Sequence, residues 1–128
     1  MEPEFLTVAD ALFVHRNQIA TYGGRQGVRD AGLLESAMAQ PAASHGGAFL
    51  HRDLFEMAAA YLYHLVQNHP FVDGNKRTGA VLALVFLEWN GIRVRPDNEG
   101  LVDITIRVAS GKAGKREVAG FLRVIALP

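Results

Sequence analysis

Apolar residues recur at helical spacing along most of this chain, and the polar residues between them mark where the helices begin and end. Thr7, with Asp10 three residues later, is typical of a capping box at a helix N-terminus. An apolar stripe follows over residues 12–19 and stops at the two glycines of 23–24, which favour a helix end. The pattern predicts a first helix with one buried face.

Three further segments are predicted before residue 69. Asp30 can cap a second helix that ends before Pro41, because the residue that precedes a proline avoids the helical conformation. Residues 42–50 contain two adjacent glycines and no clear period, which predicts a loop or a short β flap. Asp53 can cap a third helix, whose apolar residues recur at helical spacing over 54–65.

The second half of the chain is also mainly helical in pattern. A fourth helix is predicted from about Asn75 to the Asn-Gly step at 90–91, and apolar residues surround it, so we expect it to be the central helix. A short extended piece at 92–94, a helix over 101–109 and a last helix over 115–126 complete the chain. The pattern therefore predicts one all-α domain over residues 1–128, a helical bundle with a short flap.

Composition narrows the function classes. Of the 128 residues, 49% are hydrophobic and 20% are charged, which excludes general disorder. The 13 basic and 13 acidic residues cancel, so the charge predicts no nucleic-acid partner. The absence of cysteine excludes disulfides and thiol chemistry. The acidic start is unlike a signal peptide and no apolar run is long enough to span a bilayer, so we expect a cytoplasmic protein without a membrane partner.

Residues that can take part in a reaction are concentrated in one stretch, His-Pro-Phe-Val-Asp-Gly-Asn-Lys-Arg, which begins at His69 and leads into the fourth helix. A helix N-terminus has unpaired N–H groups and about half a positive charge, so it attracts anions. Lys76 and Arg77 add two cations there, which predicts a phosphate ligand. Asp73 could hold Mg²⁺ against that phosphate, since hard cations prefer oxygen ligands. His69 could take a proton from an attacking hydroxyl. The spacing indicates a phosphate-transfer site.

The same residues also have structural interpretations. His69 could simply complement a helix C-terminus, and Asp73 could cap the fourth helix. The two cations could be a solvated pair, although cations in a first turn oppose the helix dipole at a cost of roughly a few tenths of a kcal/mol each. Phe71 is predicted to anchor the loop by burying its ring. Gly74 is expected to allow either a positive φ or a close approach of phosphate to the backbone.

The motif resembles the signature of Fic/Doc proteins, H-x-F-x-D/E-G-N-G/K-R, and its lysine form at Lys76 resembles the Doc, or death-on-curing, branch. Further stretches are similar to the Doc pattern: Tyr22–Gly24, Gly27–Ala37, Leu54–Glu56 and Phe86–Gly91. The resemblance covers roughly residues 5 to 110. It implies a Fic/Doc-like helical bundle in which the central helix follows the motif.

The resemblance also implies a reaction. A Doc-like toxin transfers the γ-phosphate of ATP, with Mg²⁺, to a threonine or serine hydroxyl of a target protein, and the known Doc target is a threonine of elongation factor Tu, whose modification halts translation. The resemblance implies that His69 accepts the proton and that Asp73 binds the metal. It also implies that the nucleotide phosphates are bound by the four residues that follow, Gly74, Asn75, Lys76 and Arg77.

Two alternative functions stay open at this point. Fic enzymes with glycine before the arginine usually transfer AMP to a protein hydroxyl. Here Lys76 occupies the glycine position, and Ala80 stands where the longer Fic pattern has a second arginine, so both differences favour the Doc branch. The other alternative is a non-catalytic protein-binding module, against which the intact set from His69 to Arg77 argues.

The resemblance further implies restraint by a separate partner. Many Fic proteins carry an inhibitory helix of the form S/T-x-x-x-E-G/N, and we find no such match: Ser36, for example, is followed four residues later by Gln40. An unrestrained translation-blocking enzyme would kill its host. We therefore expect an antitoxin acting in trans, as in Doc-like toxins, where a segment of a prevent-host-death antitoxin folds into a groove. The flap at 42–50 is expected to hold the target protein by strand-like pairing.

The other histidines carry weaker predictions. His15 lies in the first helix, and His45 and His51 lie in or beside the flap, where we expect them to be solvated. His64 and His69 are five residues apart, a spacing that does not place two ligands on one helical face. Because there is no cysteine and no His-Glu-x-x-His sequence, we expect no zinc site.

Overall fold

Helices dominate the computed structural model, which describes residues 2–128. They are α1 (Val8–Tyr22), α2 (Ala31–Ala39), α3 (Leu54–Asn68), α4 (Asn75–Trp89), α5 (Asn98–Ala109) and α6 (Lys115–Ile125). A 3-10 turn at Gln40–Ala42 leads into a hairpin of β1 (Ser44–His45) and β2 (Ala48–Phe49). The predicted mainly α-helical fold is confirmed. Within the described residues, no helix combines the length and apolar composition that crossing a membrane requires.

The helices begin at side chains that cap them. Thr7 forms the predicted capping box of α1. The carboxylate of Asp30 accepts a backbone N–H of α2 at 2.9 Å, and that of Asp53 accepts one of α3 at 2.8 Å. The predicted start of α5 at Leu101 is wrong by one turn, because Asp97 caps the helix earlier by accepting a backbone N–H at 2.9 Å. Local hydrogen bonds thus set most helix starts.

The centre of the fold is a pair of helices, α3 and α4. α3 packs against α2, α4, α5 and α6, and every residue from Met57 to Leu62 is buried. Gly79 lets α4 approach closely, since a Cβ there would lie 3.3 Å from the carbonyl oxygen of Leu62. α4 is therefore central, as predicted, but it shares that position with the helix that precedes the motif.

The segment 42–50, which we call the flap, contains the hairpin. Ser44 pairs with Phe49 and His45 with Ala48 in antiparallel register. Phe49 packs edge-to-face on Phe5, with ring centroids 5.6 Å apart, and this contact anchors the flap to the start of the chain. The alternative of a β flap is confirmed.

Candidate active site

The loop between α3 and α4, residues 69–74, is called the site loop, and Phe71 anchors it. The Phe71 ring is fully buried and stacks on His15 of α1, with ring centroids 3.8 Å apart and an interplanar angle of 4°. The Phe71 N–H donates to Asn75 Oδ1 at 2.9 Å, and Asn75 Nδ2 donates to the Phe71 carbonyl at 3.0 Å. The side-chain amide of Asn75 is therefore used to hold the loop. Only the backbone N–H of Asn75 is left to bind an anion.

The segment between α1 and α2 pairs with the site loop through its backbone. Val28 and Phe71 form an isolated antiparallel bridge. The Val72 N–H donates to the carbonyl of Gly27 at 3.0 Å, and the Arg29 N–H donates to that of Pro70 at 2.7 Å. This segment holds the site loop along most of its length.

A close approach explains one glycine of this segment. Gly24 has a φ of 120°, and a Cβ there would lie 2.9 Å from Asp73 Oδ2. A larger residue at this position would push the Asp73 carboxylate away. In the sequence this glycine indicates a helix end and is part of the resemblance, but the contact that requires it is not visible there.

Asp73 presents an ionised carboxylate at the end of the site loop. Its Oδ2 accepts the N–H of Arg25 at 3.1 Å, and its Oδ1 accepts that of Gly74 at 2.8 Å. These two backbone donors, the one on Arg25 first, lower the pKa of Asp73 below its usual value. The Asp73 carbonyl accepts a hydrogen bond from His15 Nε2 at 2.8 Å, so that nitrogen carries the proton. Two groups outside the motif, the Arg25 N–H and the His15 ring, thus help to fix Asp73.

The interpretation of Asp73 as a cap of α4 is wrong, because the cap residue is Gly74. Gly74 has a positive φ of 77°, and a Cβ there would lie 3.0 Å from Ile19 Cδ1. No side chain caps this helix end. The first N–H groups of α4 are therefore left for an external acceptor such as a phosphate.

Lys76 and Arg77 lie in the first turn of α4 and differ in their contacts. The Lys76 side chain is exposed. Arg77 reaches back to α1, where its Nη2 donates to the Gly23 carbonyl at 2.8 Å and its Nη1 donates to the Gln18 carbonyl at 3.4 Å. The last turn of α1 has no basic residue of its own, so Arg77 also supplies its C-terminal cation. Both cations stay next to the uncapped N-terminus.

His69 lies exposed at the start of the site loop. It ends α3, and its backbone is left-handed, with φ 49° and ψ 54°. Its N–H donates to the Leu65 carbonyl at 3.1 Å. His69, Asp73 and the start of α4 thus follow one another along the site loop and into the first turn of α4.

A groove of ≈ 440 Å³ adjoins this site between α1, α4 and α5. Lys76 and Arg77 line one part of it, and the rest of its lining is mainly apolar. Three exposed apolar residues belong to it: Tyr22, Val102 and Ile106. Sequence reasoning missed this groove, because its walls come from three separate helices.

The expectation that His51 is solvated is wrong. His51 is only 8% exposed, because Lys115 of α6 covers it, with Nζ 3.1 Å from His51 Nε2 and 3.2 Å from His64 Nε2. Burial first, and then the Lys115 charge, lower the pKa of His64 to about 4. His45 is exposed in the flap. Among residues 2–128, no three histidine or acidic side chains are arranged to hold a metal ion by themselves.

Comparison with known proteins connects this site to a family. Residues 5–87 match the model of the Fic/DOC family. The chain is similar to Protein kinase doc of Escherichia phage P1, with 36% identity over 114 residues, which cover 89% of each chain. It is also similar to Toxin Doc of Mycolicibacterium smegmatis, with 45% identity over 76 residues, which cover 59% of this chain and 58% of that relative. The family match includes the whole site loop and most of α4.

Proposed function

We propose, since this chain belongs to the Fic/Doc family, that it is a Doc-like toxin that transfers the γ-phosphate of ATP to a threonine or serine hydroxyl of a target protein. The supporting observation is that the exposed His69, the ionised Asp73 and the uncapped start of α4 follow one another along the site loop and into α4. Phosphoryl transfer needs a proton acceptor, a metal ligand and an anion site, and this segment offers a candidate for each. The target that we propose is elongation factor Tu, as the resemblance implies.

The proposed reaction assigns each group a step. The hydroxyl oxygen of the target attacks the γ-phosphorus while His69 accepts its proton, and the bond from that phosphorus to the β–γ bridging oxygen breaks to release ADP. The N–H groups at the start of α4, with Lys76 and Arg77, stabilise the negative charge on the phosphate oxygens. Such donors contribute most when they are already in place before the reaction, and the contacts of Arg77 with α1 hold it there.

The residues present fit a magnesium ion. The Asp73 carboxylate is ionised at neutral pH, and each of its oxygens accepts one backbone N–H and keeps a lone pair. In nucleotide sites Mg²⁺ is bound by one or two carboxylates, and phosphate oxygens and water complete its coordination. Asp73 would therefore hold the ion, which neutralises charge on the nucleotide phosphates when bound.

Phosphate transfer is proposed over AMP transfer because of Lys76. It adds a charge at the position where a glycine in the AMP-transferring enzymes leaves room for phosphate, and Ala80 replaces their second arginine. The phage relative, which aligns over 89% of this chain, is named a protein kinase, and this name supports the same choice.

Labelled ATP tests the proposal directly. The purified protein is incubated with elongation factor Tu and ATP labelled at either the α- or the γ-phosphate. We expect label on the target from γ-labelled ATP alone, and no label with the His69→Ala variant, whose circular dichroism should match the wild type. Label from α-labelled ATP would replace the proposal with AMP transfer. Transfer by His69→Ala at the wild-type rate would remove the proton-acceptor role.

We also propose that an antitoxin restrains the protein in trans by folding a segment into the groove between α1, α4 and α5. An apolar helix would cover Val102 and Ile106, and acidic residues at its end would face Lys76 and Arg77. Expression of the chain alone should arrest growth, and co-expression with the neighbouring reading frame should restore it. An Ile106→Glu variant should arrest growth even with the partner present. Healthy growth with active protein produced alone would contradict the toxin function.

A further inference from the structure

The first residue of the site loop has a backbone conformation that needs support. His69 has a φ of 49°, and every other residue with a positive φ in the described chain is a glycine. For a residue with a side chain, the left-handed conformation costs roughly 1–2 kcal/mol. A glycine would avoid this cost but would remove the imidazole. Contacts from elsewhere in the fold must therefore hold His69.

Arg29, which lies outside the motif, makes these contacts. Its Nε donates to the His69 carbonyl at 2.7 Å, and its Nη2 donates to the Asn68 carbonyl at 3.0 Å. Its backbone N–H donates to the next carbonyl, that of Pro70, at 2.7 Å. Carbonyls at a helix C-terminus carry partial negative charge, and the last turn of α3 contains no basic residue to balance it. Arg29 supplies that missing cation from another segment.

We propose that Arg29 is a positioning residue for His69. Its two side-chain hydrogen bonds fix the peptide planes on either side of the His69 Cα, and these planes set the direction in which the imidazole leaves the backbone. Hydrogen bonds from a charged donor are the stronger kind, which suits them to hold a strained residue. The inference rests on the proposed transfer reaction, in which His69 accepts the proton of the target hydroxyl.

A purely structural role for Arg29 and a positioning role predict different effects on stability and on kcat. Arg29 is exposed, so its removal would leave the carbonyls of Asn68 and His69 in reach of water rather than buried without partners. Loss of Arg29 should therefore change global stability little. It should instead lower kcat, because a displacement of about 1 Å in a reacting group can cost about 100-fold in rate.

The kinetic test uses Arg29→Ala and Arg29→Lys, with Arg16→Ala as the control because Arg16 is an exposed arginine on α1. The assay follows label from γ-labelled ATP into elongation factor Tu. For Arg29→Ala we expect kcat to fall by about 10- to 100-fold, with the KM values for ATP and for the target unchanged within about twofold. Arg29→Lys, which keeps the charge but replaces the two separate donor nitrogens with one, should give an intermediate kcat. Millimolar guanidinium should restore part of the rate of Arg29→Ala.

A spectroscopic readout separates this inference from the proposed function. Ring ¹H–¹³C spectra report on each of the five histidines, and the His69→Ala variant assigns the His69 signal. In Arg29→Ala we expect the His69 signal to move or split, while those of His45, His51 and His64 stay in place. If the wild type transfers no phosphate, the proposed function fails, but the His69 signal still decides whether Arg29 positions this ring.

Three results would overturn the positioning role. The first is an unchanged His69 signal together with an unchanged kcat in Arg29→Ala. The second is a raised KM for ATP or the target at constant kcat, which would mean that Arg29 contacts a substrate. The third is a shift of all the histidine signals together with a large drop in melting temperature in both Arg29 variants, which would mean that Arg29 only stabilises the fold.

Discussion

Replacing Asn75 with leucine should unfold the site loop from within. Asn75 is 5% exposed, and its amide pairs with both the N–H and the carbonyl of Phe71, which is fully buried. Where the site loop pairs with the segment before α2, the hydrogen bonds are made by the backbone of Pro70 and of Val72. The N–H and the carbonyl of Phe71 therefore point away from that segment, towards α4. Leucine has a similar size but no polar atoms. The change therefore leaves two buried backbone groups without a partner.

The magnitude follows from those two groups. A buried donor or acceptor that loses its partner costs about 1–3 kcal/mol, so the pair costs about 2–6 kcal/mol in the free energy of unfolding. With an unfolding entropy of about 2.1 cal/mol/K per residue, this loss lowers the melting temperature by about 7–22 °C for a chain of this length. Such a loss is a large part of the total stability of a typical domain, about 5–15 kcal/mol.

The Asn75→Asp variant adds a pH dependence that leucine cannot show. An ionised carboxylate keeps the acceptor for the Phe71 N–H, but it faces the Phe71 carbonyl with a lone pair instead of a donor. When protonated, it can donate again, so the folded state raises the pKa of this introduced group. The deficit of Asn75→Asp relative to the wild type should therefore shrink as pH falls and grow as pH rises.

Urea unfolding followed by circular dichroism measures these differences, with Asn17→Leu as the control. Asn17 is exposed on α1, and its replacement should change the free energy of unfolding by less than about 0.5 kcal/mol. If Asn75→Leu unfolds like the wild type, the buried-amide reasoning is refuted. If it does so and also loses transfer activity, the Asn75 side chain contacts the nucleotide instead of the loop.

Three further predictions concern single side chains. Gly74→Ala forces a side chain into a positive φ and against Ile19, so it should lower the free energy of unfolding by about 1 kcal/mol or more, and equal urea midpoints would contradict this. Burial lowers the pKa of His64 from 6.5 to about 4, so the unfolded chain takes up a proton in that range that the folded chain does not. Stability should fall as pH drops from 6.5 towards about 4 and should fall less steeply in His64→Gln, whereas identical pH profiles would argue against a buried neutral imidazole. Asp73→Asn should abolish the rise in melting temperature that Mg²⁺ with ATP gives the wild type, and a retained rise would place the metal ligand elsewhere.

The helix starts could be predicted from sequence because their causes are local. Thr7, Asp30 and Asp53 each bond to an N–H only three residues away, so neighbouring residues contain the whole interaction. The start of α5 was missed for a related reason. Its apolar pattern begins at Leu101, but the cap at Asp97 adds a polar first turn that periodicity does not register.

In the candidate site, too, the local features could be predicted from sequence and the long-range contacts could not. The residues proposed to do chemistry are contiguous, so a motif displays them. The residues that hold the loop are distant in sequence: His15, Arg25 and Arg29 precede their partners in the loop by 58, 48 and 40 residues, respectively. No spacing rule reports which loop a buried histidine or an exposed arginine will meet, because the packing of α1 and the following segment decides it.

These distant contacts couple the groove to the site. Arg77 lines the groove, stands next to the N–H groups that we propose to bind phosphate, and bonds to carbonyls at the end of α1. A partner segment in the groove would therefore touch the same guanidinium that is proposed to bind the nucleotide. An antitoxin bound there needs no conformational change to act, because occupying the groove and competing for Arg77 are the same event. Restraint of this kind should weaken as the ATP concentration rises, since ligands that compete for one site lower each other's apparent affinity.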